Sequence, residues 1–333
     1  MGIKSLSKTI NKYSPEAVHN ENLYKLSGKK VAVDASLVIY QQLLKCPKGQ
    51  LFKTKDGKIT NHITGLFYKI MNYISLNIKL IFIFDGKPPN NKQLCINSRK
   101  EKTQKAIDNF EKSTDSDEKK RLEKYTVRIT KEIIDDVKTL LNFMGVPYIH
   151  PAEGEGEAFA SELCRVGYVD YVLTEDMDTM AYACPKLIRN CVDKSLKRKD
   201  IVSIFDYQKM IDGLELSHEQ FLDFCILCGC DYCPVVPKIG NITAMKLIKN
   251  YKTIENIIEN TSSKYTFPEN YLKMVNDAKI NFNIFKNKIN IDSLNLNTSE
   301  INIEGLKNYL INDIEMNEKR VVTTLKKYHN NYK

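Results

Sequence analysis

The chain has 333 residues, enough for one large domain or two ordinary ones with an ample core. Its hydrophobic fraction of 42% and charged fraction of 27% are those of a soluble globular enzyme and exclude a disordered or fibrous chain. A net charge of +9 favours a polyanionic partner such as nucleic acid without requiring one, and no run approaches transmembrane length.

Residues 1–30 read as a short helix and an approach segment ending at Gly28. Leu6 stands where the myristoylation pattern after Met1-Gly2 needs Ser or Thr, which argues against a lipid anchor. Val31-Ala32-Val33-Asp34 is a buried strand ending in an acid, and Ala35–Leu44 a helix. Asp56-Gly57 marks a turn. Residues 62–76 follow a helical period, and Ile78–Phe84 is a second strand that runs into Asp85. Pro88 and Pro89 then stop regular structure.

From Arg99 to Glu132 the chain carries eleven Lys/Arg and eight Asp/Glu, interrupted at 113–117 like a loop between two helices. The bland interpretation is a solvated helical pair; the functional one is a basic element beside an active site. Residues 133–144 resume an amphipathic helix, and Val146–Ile149 is a strand candidate. Gly154–Val166 is a helix that carries Glu155 and Glu157 at its start. Tyr171-Val172-Leu173-Thr174-Glu175-Asp176 is a third apolar run closed by acid. Leu187–Arg189 and Val202–Ile204 are short strand candidates, and Phe221–Leu227 is a helix stopped by Gly229. Residues 234–248 hold a turn and a helix. Beyond about 260 the composition shifts to Asn, Lys and Ile, without a motif.

Runs apolar on both faces suit a parallel sheet, whose ligands bind outside the carboxyl ends of the strands. Asp34, Asp85 and Asp176 therefore converge at one sheet edge. Glu155, Glu157, Asp178 and Asp231 stand close to such positions. A lone acid after a strand is most often a cap or a surface charge, and Glu153 and Glu175 are taken as such. Three together need a reason to stay ionised. Oxygen ligands without histidine point to Mg²⁺, with Mn²⁺ able to substitute, rather than to zinc. Two such ions about 3.5–4 Å apart clamp the attacking and leaving oxygens of a phosphoryl transfer. On an ideal helix Glu155 and Glu157 face about 200° apart, so both serve one site only at a frayed first turn or through water.

Met1-Gly2-Ile3, Val33-Asp34-Ala35-Ser36, Phe84-Asp85-Gly86-Lys87-Pro88-Pro89, Glu155-Gly156-Glu157-Ala158, Thr174-Glu175-Asp176-Met177-Asp178 and Gly229-Cys230-Asp231-Tyr232 occur in this order. Together they resemble the structure-specific 5′ flap endonucleases of eukaryotes, archaea and some viruses, over roughly residues 1–260. The short spacing from Asp85 to Glu155 sets the chain apart from the related excision-repair branch.

The resemblance implies an α/β fold: a PIN-like nuclease core with a central, mostly parallel sheet flanked by helices. It implies a helical arch over 87–132, through which a single-stranded flap passes, and a helix–hairpin–helix over 218–258 that holds duplex phosphates. Residues 1–260 form the nuclease core, and 261–333 an extension packed on it. Asp34, Asp85, Glu155, Glu157, Asp176, Asp178 and Asp231 fall on the family's metal positions, for two Mg²⁺ ions. Lys92 and Arg99 fall on basic residues that contact the scissile phosphate, Tyr40 on an aromatic that stacks near the displaced base, and Gly2 on a small N-terminal residue near the site.

Two departures stand out. Lys238-Ile239-Gly240-Asn241 replaces the family's Gly-Ile-Gly, so Lys238 and Gly240 are expected to bind duplex DNA without a potassium site. The tail Lys326–Lys333 lacks the Gln–aliphatic–paired-aromatic motif, so a sliding-clamp partner is not supported.

Cys225-x-x-Cys228 and Cys230-x-x-Cys233 lie one residue apart, too close for paired zinc knuckles. The chain has no phosphate-binding Gly-x-x-x-x-Gly-Lys-Ser/Thr loop, which speaks against an ATPase. Asp34-Ala35-Ser36 lacks the Asp-x-Asp of aspartyl-nucleophile hydrolases. Lys197-Arg198-Lys199 is too short for a nuclear signal.

The expectation is a Mg²⁺-dependent endonuclease cutting near the base of 5′ flaps, with 5′–3′ exonuclease activity, in DNA replication and repair. It acts as a monomer on branched or flapped duplex DNA, with no membrane partner. It is intracellular, nuclear if cellular and cytoplasmic if viral. The alternatives are a Holliday-junction resolvase or 5′–3′ exonuclease on the same core, and a non-catalytic scaffold for branched DNA.

Overall fold

The computed structural model describes residues 2–45, 51–190, 200–294 and 296–331. Cys46, Cys191 and Lys197-Arg198-Lys199 lie outside the described residues. None of the seven described cysteines is in a disulfide, and no described helix is long and apolar enough to cross a membrane.

In chain order the elements begin with α1 (Leu6–Tyr13), β1 (Val18–Asn22), β2 (Lys30–Asp34), α2 (Ala35–Leu44), α3 (Asn61–Ser75) and β3 (Lys79–Ile83). Three charged or amphipathic helices follow, α4 (Gln93–Lys112), α5 (Ser116–Thr126) and α6 (Lys131–Phe143), then β4 (Tyr148–Ile149). Next come α7 (Gly156–Arg165), β5 (Tyr171–Leu173), α8 (Asp178–Ala181), β6 (Lys186–Asn190) and β7 (Ile201–Asp206). The remainder is helical: α9 (Tyr207–Leu214), α10 (His218–Cys228), α11 (Asn241–Tyr251), α12 (Ile254–Thr261), α13 (Tyr271–Phe282), α14 (Ile303–Asn308) and α15 (Glu318–Asn331). The class is α/β, with a mixed sheet flanked by helices, and among the described strand pairs the parallel ones outnumber the antiparallel.

The chain divides into two compact units. The first comprises 1–25, 85–95 and 151–291. Its strands run β1–β7–β6–β5, with β5 parallel to β6 and the others antiparallel. Its core joins Ile3, Leu6 and Ile10 from the N-terminus to Phe205, Phe221, Phe224 and Phe282. Each such side chain, fully buried, contributes about 1.5–3 kcal/mol over exposure. That apolar anchorage is what fixes the N-terminal segment.

The second unit comprises 26–84, 96–150 and 292–333. Here β2, β3 and β4 are parallel neighbours, with Asp34 in register with Ile83. In both β2 and β3 the first residue is exposed and the next four are buried, which matches their apolar runs. The region from α14 onward packs on α6: the Phe143 and Tyr309 rings lie 5.6 Å apart, and the Tyr309 hydroxyl donates to Asp136 O.

Several elements differ from the sequence expectation. β1 lies where an approach segment was expected; its residues Val18-His19-Asn20-Glu21-Asn22 carry almost no apolar signal, because β1 is an edge strand held by β7. The strand expected at 146–149 shrinks to Tyr148–Ile149. The reason is that Gly145 turns the chain at φ 64° and the Val146 N–H still closes α6 by donating to Leu141 O. The charged stretch is indeed two helices, α4 and α5, broken at 113–115.

Candidate metal centre

Within the first unit, three short pieces of chain carry acids into one place. The first is the loop after β3. Gly86 N–H donates to Gly154 O, Lys87 N–H to Ala152 O and Gly154 N–H to Lys87 O, which lashes 86–87 to 152–154. A Cβ on Gly86 would come within 2.5 Å of Pro151 O, so only glycine allows this approach. The lashing brings Asp85 over the start of α7, where its Oδ1 accepts the Gly156 N–H at 2.7 Å. A carboxylate at a helix N-terminus is favoured by the unpaired amides and the macrodipole.

The second piece is the start of α7 itself. Glu155 is the N-cap, in extended conformation at φ −89° and ψ 143°, and Glu157 is already helical. Helical spacing therefore does not govern their relative direction: this is the non-ideal first turn that the sequence set as a condition for both to serve one site. Both are buried, at 8% and 7% exposure.

The third piece is the turn from β5 into α8. Asp176 N–H is held by Thr174 Oγ1 at 3.2 Å, and Asp176 Oδ1 accepts the Asp178 N–H at 3.2 Å. Buried Met177 pins the turn between them. Glu175 is turned to other work, accepting the Asn190 N–H at 2.7 Å and pairing with Arg189.

Glu157, Asp176 and Asp178 offer ligand oxygens that all lie within 4.8 Å of one another. Donors around a hard divalent ion sit about 3–4 Å apart when bonds are near 2.1 Å, so this oxygen-only trio fits such an ion with small adjustment. The electrostatics point the same way. Burial, and then the charges of Asp176 and Asp231, push the Asp178 carboxyl well above the usual aspartate range, although a hydrogen bond from Ile3 N–H opposes the rise. Gly2 lies against the same carboxylates: at φ 87°, a Cβ there would stand 1.9 Å from Asp176 Oδ1.

Beside the trio, the Lys92 ammonium bridges Glu155 and Asp231, the latter at 3.2 Å. Burial works to lower the lysine pKa, but the charges of Glu155 and Asp231 outweigh it and keep the group an ammonium. Glu155 bears the cost: burial raises its pKa, and the charge and hydrogen bond of Lys92 only partly offset this. Cys95 Sγ donates to Asp231 Oδ1 at 3.1 Å.

Asp34, Tyr40 and Arg99 belong to the second unit. Asp34 ends β2 and caps α2, its Oδ1 accepting the Leu37 N–H at 3.0 Å, and it is 7% exposed. Tyr40 is half-buried on α2, and Arg99 is exposed on α4. Lys238, exposed, takes the left-handed conformation at φ 68° in the turn before α11, and Gly240 is that helix's N-cap, with no side-chain cap. The lysine thus occupies a conformation that favours glycine and leaves the turn intact. Cys225 and Cys228 are buried in α10. Burial pushes the Cys228 thiol up to about 12 and Cys225 well above the usual thiol range, which disfavours thiolate ligation.

Sequence reasoning did not single out Cys95, which reads as a stray thiol in the sequence and is found on Asp231.

Residues 1–106 match the XPG N-terminal domain family, and residues 145–231 match the XPG I-region family. The flap endonuclease 1 of Entamoeba histolytica is 36% identical over 335 residues, covering 99% of this chain and 88% of that protein. The flap endonuclease 1 of Drosophila yakuba is 38% identical, covering 98% and 84%. Among solved structures, the flap endonuclease-1 from Methanococcus jannaschii superposes with a TM-score of 0.72 at 25% identity, covering 99% of this chain and 98% of that one. The catalytic core of Rad2 in complex with DNA substrate shares the fold, with a TM-score of 0.72 at 20% identity over 98% and 100% of the two chains. Identity above one third along nearly the whole of both chains, with the acids in place, leaves one assignment: this chain belongs to the flap endonuclease family.

Proposed function

We propose that this protein is a structure-specific DNA endonuclease that hydrolyses a phosphodiester near the base of a 5′ flap, with two divalent ions, Mg²⁺ by preference and Mn²⁺ in its stead. The observation that carries this reading is the oxygen-only trio of buried Glu157 and Asp178 with half-buried Asp176, beside an ammonium held by Glu155 and Asp231, in a chain of this family.

Glu157, Asp176 and Asp178 would hold one ion, and Asp85, Glu155 and Asp231 the other; Asp34 falls on a further metal position of the family. Bound there, the ions would lower the pKa of the attacking water and take up charge on the departing oxygen. The chain's own groups do the rest. Lys92 and Arg99 present cations to the scissile phosphate as its charge grows. Lys92 pairs with two of the acids, so its ammonium stands at the site. Tyr40 offers a ring for stacking near the displaced base.

The 218–258 region, with Lys238 and the open amides after Gly240, would hold duplex phosphates, and the 87–132 arch would take the single strand. Affinity for DNA therefore falls with salt. The protein would work as a monomer.

The test is a panel of end-labelled substrates under a Mg²⁺ titration: 5′ flap, nicked duplex and four-way junction. This reading expects incision within a nucleotide or two of the flap base as the fastest reaction. Faster symmetrical cutting of the four-way junction would make the protein a resolvase, and binding without any cutting would make it a scaffold.

A further inference from the structure

Helix α1 joins two places that the reading above puts on DNA. Just before the helix, Ile3 N–H donates to Asp178 Oδ1 at 2.5 Å, which ties its start to the metal acids. Further along, Thr9 Oγ1 uses its hydrogen on Ser5 O at 3.2 Å and accepts the Asn241 side-chain amide at 3.0 Å. Asn241 is the first residue of α11, directly after Gly240 and close behind Lys238. Ile3, Leu6 and Ile10 pack into the core of the first unit and fix the inner face. α1 is therefore a bar pinned to the metal centre at one end and to the hairpin turn at the other.

Its outward residues carry charge of one sign. Lys4, Lys8 and Lys12 are exposed and spaced four apart, and residues 1–15 contain no Asp or Glu. That spacing puts side chains on one helix face; Lys4 stands in the turn that leads into the helix. Among the described residues none of the three takes part in an ion pair. Over its eight residues α1 rises about 12 Å. Each strand of duplex DNA presents a phosphate about every 3.4 Å of rise, so three or four phosphates of one strand match that length. In a 5′ flap the cut strand continues past the cleaved bond into duplex. With the cleaved phosphate at the metal acids and the duplex held at the Lys238 turn, the phosphates between them lie on the stretch that α1 spans.

We propose that the exposed face of α1 is a duplex-contact surface, on which Lys4, Lys8 and Lys12 meet the phosphates of the cut strand between the cleaved bond and the Lys238 turn. The proposal rests on the flap-endonuclease reading above and adds a DNA contact to it. Phosphate contacts carry no sequence information but fix register and orientation on the duplex. The α1 lysines would thus set how far into the duplex the cut falls, by holding the strand between two anchored points.

The experiment compares the wild type with the triple variant Lys4→Gln, Lys8→Gln, Lys12→Gln. The apolar inner face of α1 is untouched, and thermal melting checks that the fold is kept. A control variant exchanges Lys307, Lys319 and Lys326, exposed on α14 and α15, for Gln and removes the same charge. Affinity for 5′-flap DNA is read by fluorescence anisotropy over a salt series, in chelator so that nothing is cut. Expected for the α1 variant is a loss of about tenfold or more at about 0.1 M salt, and a slope of log affinity against log salt lower by about two to three. The control should keep the wild-type slope. A second flap DNA carries uncharged methylphosphonates at about the first four phosphates of the cut strand beyond the cleaved bond. On that DNA the wild type and the α1 variant should bind alike. An unchanged slope in the α1 variant, an equal loss in the control, or an undiminished gap between the two proteins on the methylphosphonate DNA would overturn the proposal. So would a wild type that binds no flap DNA. Cleavage with Mg²⁺ is scored separately: a wild type that binds flaps without cutting them removes the nuclease reading and leaves the α1 contact to the binding data.

Discussion

Asp178 shows how much one side chain of this site is asked to bear. Its folded pKa is raised by burial and by the charges of Asp176, Asp231 and Glu155. A carboxyl raised in the folded state contributes stability below the unfolded value, and that contribution is lost as pH rises through the folded one. The metal-free protein is thus weakened at neutral pH by a group that a cation would relieve. Asp178→Asn should melt a few degrees higher than the wild type without metal near neutral pH, about 2–4 °C per kcal/mol of repulsion removed. The gain should vanish at acid pH, and flap cleavage should be lost. A lower melting temperature at neutral pH would contradict the electrostatic account. Gly2 tests the geometry of the same place. Since a Cβ would stand 1.9 Å from Asp176 Oδ1, Gly2→Ala must displace the acid or the N-terminal segment. Single-turnover cleavage should fall at least tenfold, by about 1.4 kcal/mol or more, with Mn²⁺ affinity falling alongside. Unchanged values for both would show that the N-terminus is not held there.

At the scale of elements, the turn before α11 carries the most informative departure from the family pattern. Lys238 adopts φ 68°, where a non-glycine residue is strained by about 1–2 kcal/mol. Lys238→Gly should therefore raise the melting temperature slightly, the unfolded-state entropy of glycine cancelling part of the gain. If the ammonium meets a duplex phosphate, the same change weakens flap binding at all sequences and lowers the slope of log affinity against log salt by about one. Fluorescence anisotropy over a salt series reads it, and an unchanged slope would remove Lys238 from the DNA interface. Short strands and long helices differed in how readable they were. β2 and β3 were legible because a short apolar run closed by an acid fits a buried strand and little else. β1 was not, because an edge strand of polar residues takes its conformation from its neighbour. The helices beyond residue 260 were hidden by a composition rich in Asn and Lys, and they are held by tertiary packing such as Phe143 on Tyr309.

For the whole molecule, most of the candidate centre could be read before any fold was known, because chemistry restricts where carboxylates gather. Asp85, Glu157, Asp176 and Asp178 stand at strand ends and helix starts, positions the sequence pattern marks. The sequence left open whether Glu155 and Glu157 meet at a non-helical first turn or through water, since N-cap geometry is a property of the chain before α7 and not of a helical wheel. The central claim is that these acids hold divalent cations for phosphodiester hydrolysis. The most direct measurement is single-turnover cleavage of 5′-flap DNA by the wild type and Asp176→Ala, with Mg²⁺ and with chelator, beside flap affinity for both proteins. The account predicts cutting only by the wild type with Mg²⁺, and flap binding by both. Full cleavage by Asp176→Ala, or undiminished cleavage in chelator, would contradict it.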